Sequence, residues 1–160
     1  METSKESFLS FKLGDEIFAI SVAKVLEVLE MQKITKIPKT PDHIRGVINF
    51  RGEILPVIEM RKKFLLPDNP DEANSVIIVL DMVMNKKNIQ IGAIADGVRD
   101  VLEIRPADIL EVPEMGSRYN SEFLFGMVKS TIGFIMILNV DRVFSLEELQ
   151  INIQTMNSNV

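Results

Sequence analysis

T-P-D-H-I-R-G-V-I-N-F-R-G-E-I-L-P-V-I-E-M-R-K-K-F, residues Thr40 to Phe64, decides how this chain is read. Two apolar runs, Val47–Phe50 and Glu53–Met60, meet at Arg51-Gly52. Glycine supplies the positive φ that a tight turn demands, so the stretch predicts a buried β-hairpin with an arginine at its tip. Part of it recurs. Laid without gaps on Leu124–Phe144, L-F-G-M-V-K-S-T-I-G-F-I-M-I-L-N-V-D-R-V-F, Gly46 falls on Gly126 and Ile44 on Leu124. Val57-Ile58 then meets Ile137-Leu138, and Phe64 meets Phe144. A second echo aligns Val25-Leu26-Glu27-Val28-Leu29-Glu30 with Val98-Arg99-Asp100-Val101-Leu102-Glu103. Two matched segments in the same order at nearly the same spacing indicate one small β unit used twice.

Working outward, Leu9, Phe11 and Leu13 alternate with Ser10 and Lys12, and Gly14-Asp15 turns them into Glu16–Ile20. Ser21–Lys24 reads as one helical turn before a strand at Val25–Met31. Ile34–Pro38 is a short extended piece, and Pro41 with Thr40 as N-cap suggests a brief helix through Ile44. Pro56 lacks a ladder donor, so its strand must offer an edge or a bulge there. Leu66–Asn74, L-P-D-N-P-D-E-A-N, is polar, rich in turn formers, and reads as the linker between the repeats. Ser75–Met84 is almost wholly apolar, as a strand buried on both faces should be. Asn85–Asn88 turns it into Ile89–Ala95, Phe134–Val140 is a further deeply buried strand, and Asp141–Gln150 is the expected terminal helix. Short strands with glycines at corners and few long helices predict small barrels rather than a parallel sheet.

Composition bounds the function. At 160 residues the chain buries roughly 68–70% of its unfolded surface, enough for a core without staples. There is no cysteine, which rules out disulfides, thiol nucleophiles and thiolate metal sites and fits a reducing cytosol. No apolar run reaches membrane-spanning length, and Met1–Glu6 carries no signal-peptide pattern; a cytoplasmic globular protein is expected. A net charge of −5 works against general attraction to nucleic acid or anionic lipid.

No catalytic or metal constellation emerges. His43 is the only imidazole, Tyr119 the only phenol, and neither has a second histidine or thiol to complete a nucleophile–base pair or a metal site. Carboxylates such as Asp81, Asp96 and Asp100 read as turn caps or solvated faces. Gly92 and Gly97 lack the lysine and following helix of a phosphate loop. Met31 and Met115, near expected loops, read either as core or as adaptable contacts. Arg51 offers five fixed donors to a carboxylate or a carbonyl-rich surface; the plainer reading is a solvated turn arginine paired with Glu53. Glu27 interrupts the apolar face of Val25 and Leu29. A half-buried carboxylate there calls for a cation, with Arg51 the candidate, unless Glu27 is an edge-strand gatekeeper.

H-I-R-G-V-I-N-F-R-G-E-I-L-P-V-I-E-M-R, then A-D-G-V-R-D-V-L-E and a late F-L-F-G-M-V, resembles the CheW-type chemotaxis coupling proteins over about residues 7–150. The resemblance implies a mostly β fold: two pseudo-symmetric SH3-like five-stranded β-barrels packed together, with short helices and a C-terminal helix. It implies one domain at 7–150 made of two intertwined barrels, approximately 14–66 and 75–144, with residues 7–13 able to join the second; 1–6 and 151–160 are tails. The implied function is a non-enzymatic adaptor without cofactor or metal. It would couple the cytoplasmic tips of methyl-accepting chemoreceptors to the regulatory domain of the histidine kinase CheA, at membrane-associated receptor arrays and without inserting into the membrane. The implied receptor groove lies between the barrels and maps onto Val25, Glu27, Gly46, Arg51, Val98, Val101 and Gly126. The valines would line an apolar trough and the glycines would let a receptor helix approach closely. Phe50 stands where the family often has leucine. The alternatives are a coupling protein of a pathway with another output and a small-barrel nucleic-acid-binding protein. The latter needs exposed aromatics among basic residues, in a chain only 6% aromatic.

Overall fold

The computed structural model describes residues 5–84, 86–112 and 123–143, with ten strands and a few short helical turns among them. Strands β1 (Glu6–Leu13), β2 (Glu16–Ser21), β3 (Val25–Glu30), β4 (Ile44–Phe50) and β5 (Glu53–Glu59) lead into helix α1 (Met60–Lys63). After the linker come β6 (Val76–Met84), β7 (Lys87–Ala95), β8 (Gly97–Ile104), β9 (Leu124–Ser130), β10 (Gly133–Leu138) and α2 (Val140–Val143). They form two five-stranded sheets in the orders β8-β1-β2-β10-β9 and β3-β6-β7-β5-β4. The orders correspond place by place: β8 with β3, the β1–β2 hairpin with β6–β7, and the β10–β9 pair with β5–β4. Even the parallel pairing recurs, β10 with β2 and β5 with β7. The fold is the expected pair of SH3-like barrels.

The division between them is not where the linker suggested. β6 and β7 join the sheet that holds β3, β4 and β5, and β2 goes with β1 into the other. One barrel is thus the continuous stretch β3–β7, while β8–β10 are completed by the first hairpin of the chain. The approximate ranges 14–66 and 75–144 do not follow the sheets. The chain crosses instead at the 3-10 turn Val22–Lys24 and at Asp96, the residue between β7 and β8. The linker is tied down within one barrel: Arg45 pairs with Glu59 and Glu72, and Asn69 donates to Ser75 at 3.0 Å.

Three apolar clusters result. One fills each barrel, around Ile77, Val79 and Leu55 in one and Phe8, Ala19 and Ile137 in the other. The largest lies between the sheets, with Phe11, Phe18, Ile58, Phe64, Ile78, Leu80 and Leu138. This explains two sequence patterns. β6 is apolar throughout because Ile77 and Val79 enter their barrel while Ile78, Leu80 and Met82 enter the junction. In β1, Phe8 breaks the alternation of Leu9, Phe11 and Leu13 because it fills the barrel while they face the other sheet. Phe18 stacks on Phe64 across the junction, ring centres 5.2 Å apart.

Local expectations fared unevenly. Ser21 caps the turn Val22–Lys24 by accepting the Ala23 N–H. Pro56 lies in β5 just before its pairing with β7 begins at Val57, so its missing donor leaves no gap on that side. The helix expected at Pro41–Ile44 is a turn, and Thr40 Oγ1 donates to the Ile37 carbonyl at 3.0 Å. Phe134 is half exposed rather than deeply buried. β1 starts at Glu6, inside the expected tail, and α2 begins at Val140. Tyr119, Met115, Phe144, the expected helix beyond residue 143 and the C-terminal tail lie outside the described residues.

Candidate functional site

The hairpin tip is built as its sequence dictates. Arg51 and Gly52 both have positive φ, 54° and 84°, the geometry of a two-residue turn that matches strand twist. Asn49 Oδ1 accepts the Gly52 N–H at 3.1 Å. The Arg51 guanidinium lies 4.8 Å from the centre of the Phe50 ring, so the aromatic residue at position 50 gives the cation a face to rest on. Its Nη2 donates to Glu27 Oε1 at 2.9 Å. Glu27, not Glu53, is therefore the partner. The pair is more open than a half-buried carboxylate implied, with side chains 66% and 41% exposed, so it leaves two oriented charges in solvent and contributes little to stability.

The glycines have a different reason from close approach of a partner helix. Gly46 and Gly126 are both buried under this chain's own backbone. A Cβ at Gly46 would lie 2.1 Å from the Thr35 carbonyl oxygen, and one at Gly126 2.5 Å from that of Leu110. Thr35 bridges to Val47 and Leu110 to Met127, so each barrel is closed by an equivalent passing segment. Gly46 also has φ 146°. The internal repeat of glycine marks how each barrel closes.

Val25, Val98 and Val101 sit on β3 and β8, the equivalent end strands of the two sheets. They differ in burial. Val25 packs against the cluster between the barrels, whereas Val98 and Val101 are exposed, with Val101 at 62%. The adjoining Leu26 and Val28 on β3 are also exposed. Each end strand thus carries apolar side chains on open surface.

Sequence reasoning missed the buried charges. Arg61 donates to Asp96 through Nε at 2.9 Å and Nη2 at 2.6 Å, and Asp96 Oδ2 also accepts the Gly14 N–H at 2.7 Å. Burial opposes ionisation of Asp96, but the hydrogen bonds from Arg61 and Gly14 outweigh it and hold the carboxyl below its ordinary value. Burial pushes the Glu59 carboxyl up, although Arg45 and Lys62 pull the other way. Glu59 and Arg45 border an open cleft of about 910 Å³ with Lys36, Lys39 and Lys62, which none of the seven expected site residues lines. His43 is half-buried, and its carbonyl accepts the Glu59 N–H at 2.7 Å. Asp100 exchanges backbone bonds with the Ser10 hydroxyl at 3.0 Å. Among the described residues no helix is long and apolar enough to cross a membrane.

The family model of the CheW-like domain matches residues 7–148. The chain is 33% identical over 148 residues to the chemotaxis protein CheW of Klebsiella aerogenes, covering 92% of this chain and 87% of that protein. It is 27% identical over 152 residues to that of Treponema pallidum, covering 94% and 89%. Its structure is similar to the crystal structure of the scaffolding protein TtCheW from Thermoanaerobacter tengcongensis, with a TM-score of 0.79, 29% identity and 90% of each chain covered. With the paired barrels, the repeated closure and the Arg51 hairpin in hand, the chain belongs to the CheW-like domain family.

Proposed function

We propose that this protein is a non-enzymatic coupling adaptor of chemotaxis signalling, which holds chemoreceptor cytoplasmic tips to the regulatory domain of the histidine kinase CheA. Family membership carries the reading, and it disfavours the nucleic-acid-binding alternative. The observation that supports a receptor-facing surface is the solvated Glu27–Arg51 pair, two oriented charges that join the β4–β5 hairpin tip to β3, the strand at the other end of the same sheet. Exposed Val98 and Val101 supply apolar contact on the equivalent end strand of the other barrel. An amphipathic receptor helix would lay its apolar side chains against the valines and its polar ones toward the charge pair. Recruitment to receptor arrays in the cytoplasm follows from that partner. Gly46 and Gly126 act indirectly in this scheme, by closing the barrels that carry the contact strands.

Arg51→Glu tests the reading. It places two carboxylates side by side at an exposed tip, so the fold should survive while binding to a receptor-tip fragment weakens in a pull-down. Loss of cooperative unfolding in the variant would make Arg51 structural, and undiminished capture by a folded variant would put the receptor contact elsewhere.

A further inference from the structure

The apolar cluster between the sheets drives them together, but hydrophobic attraction is non-directional and does not by itself fix the angle at which they meet. Directional contacts sit at the two places where the chain crosses. At the second crossing, the Asp96 N–H donates to the Lys12 carbonyl at 2.9 Å while its Oδ2 accepts the Gly14 N–H at 2.7 Å. Backbone and side chain of one residue thus grip the β1–β2 hairpin of one barrel. The same carboxylate takes the fork of Arg61 from the other barrel. Arg61 Nη1 is committed to the Pro67 carbonyl at 2.7 Å, and Asn69 reaches Asp96 Oδ1 at 3.4 Å. The side chains of Arg61 and Asp96 are only 10% and 15% exposed.

The first crossing repeats the plan with the charges exchanged. The displacement that carries Gly46 onto Gly126 carries Arg61 onto Asp141 in α2. Asp141 pairs with Lys24, at the end of the crossing turn, at 3.1 Å and accepts the Val83 N–H at 3.3 Å. Two unlike charge pairs in equivalent places point to a requirement set by the junction itself.

We propose that Arg61, Asp96 and Gly14 form the latch that sets the angle between the barrels, making Arg61 and Asp96 positioning residues for the proposed receptor-binding surface, to which both barrels contribute side chains. The functional half rests on the receptor-surface reading above; the geometric half stands without it. A bidentate guanidinium–carboxylate pair is suited to this task because it fixes direction as well as distance.

The chain has no cysteine, so Lys87→Cys in β7 and Lys129→Cys in β9, both exposed, place one spin label on each barrel. Pulsed electron paramagnetic resonance then reads the inter-barrel distance in the full chain, alone and with Asp96→Asn or Arg61→Lys, below each protein's unfolding transition. The distribution should shift or broaden in both variants, more in Asp96→Asn. Affinity for a receptor-tip fragment should fall by roughly 5- to 150-fold, the usual range of coupling between separated groups. Lowered melting temperatures with unchanged distances would overturn the latch, and changed distances with unchanged affinity would overturn the positioning role. Should Asp96→Asn fail to fold, Arg61→Lys decides, since it keeps the charge and loses the fork. If the unmodified chain does not bind the fragment, the receptor reading has failed and the distances alone judge the latch.

Discussion

Each of the two crossings between the barrels has a carboxylate that pairs with a cation and accepts a backbone N–H, and the two differ in how they treat charge. At Asp96 a guanidinium and a carboxylate meet as a buried fork that also holds a backbone N–H. At Asp141 an ammonium reaches a carboxylate that is about a third exposed. The difference teaches where the junction's polar stability is concentrated. Exposed pairs contribute little because water competes for both charges, whereas a buried pair cannot lose one member without stranding the other.

The largest expected effect separates the crossings outright. Asp96→Asn should lower unfolding free energy by about 3–5 kcal/mol in urea titration, because buried Arg61 loses its counter-charge. Lys24→Ala should cost only ~0.2–1 kcal/mol. The same contrast should appear with pH. Asp96 is held below its ordinary value, so its contribution is present above the unfolded carboxyl value of about 3.9 and is lost as pH falls through the lower folded value. Asp96→Asn should flatten that part of the acid limb, while Lys24→Ala should leave it in place. Equal costs at the two crossings would remove the distinction.

The next comparison sets the barrels against each other through their closing glycines. Gly46→Ala should destabilise by about 3 kcal/mol, since the new methyl meets a backbone oxygen at a positive φ. Gly126→Ala meets the same kind of oxygen without that backbone strain and should cost somewhat less, about 1–3 kcal/mol. Thermal unfolding ranks the two, and the reverse order would show that the passing segments do not yield equally.

Val25 and Val98 sharpen the contrast at the end strands. Val25→Lys should lower the melting temperature by several degrees, because Val25 packs on the cluster between the barrels. Val98→Lys should leave it nearly unchanged and reduce receptor-fragment binding. The smallest effect belongs to the hairpin tip. A Glu27→Ala, Arg51→Ala cycle should give a coupling of ~0.2–1 kcal/mol in stability, and a value well above that would mean the pair is less solvated than its exposure indicates.

What the sequence disclosed and what it concealed divide along physical lines. The β4–β5 hairpin was legible because its turn chemistry is local: Arg51-Gly52 sits between two apolar runs. The twofold repeat was legible because β3, β4 and β5 and their counterparts face similar neighbours. The partition of strands between barrels was not. β6 is apolar on both faces and carries no mark saying which sheet it enters, and the linker's polar, turn-rich composition looks the same within a barrel as between two. Glu27 and Arg51 could be paired from one interrupted apolar face. Arg61 and Asp96 could not, since burial that comes only from packing two sheets leaves no periodicity in a short helix and a one-residue crossing. The glycines were found by their repetition, and their reason became visible only when Thr35 and Leu110 were seen passing over them.

The proposed coupling role requires one chain to hold a receptor and a kinase at the same time, and therefore through different surfaces. NMR shift mapping of the full chain with a receptor-tip fragment and, separately, with the CheA regulatory domain tests it most directly. Two footprints that do not overlap are expected, the receptor's including Glu27, Arg51, Val98 and Val101. Coincident footprints, or a receptor footprint that avoids all four residues, would contradict the account.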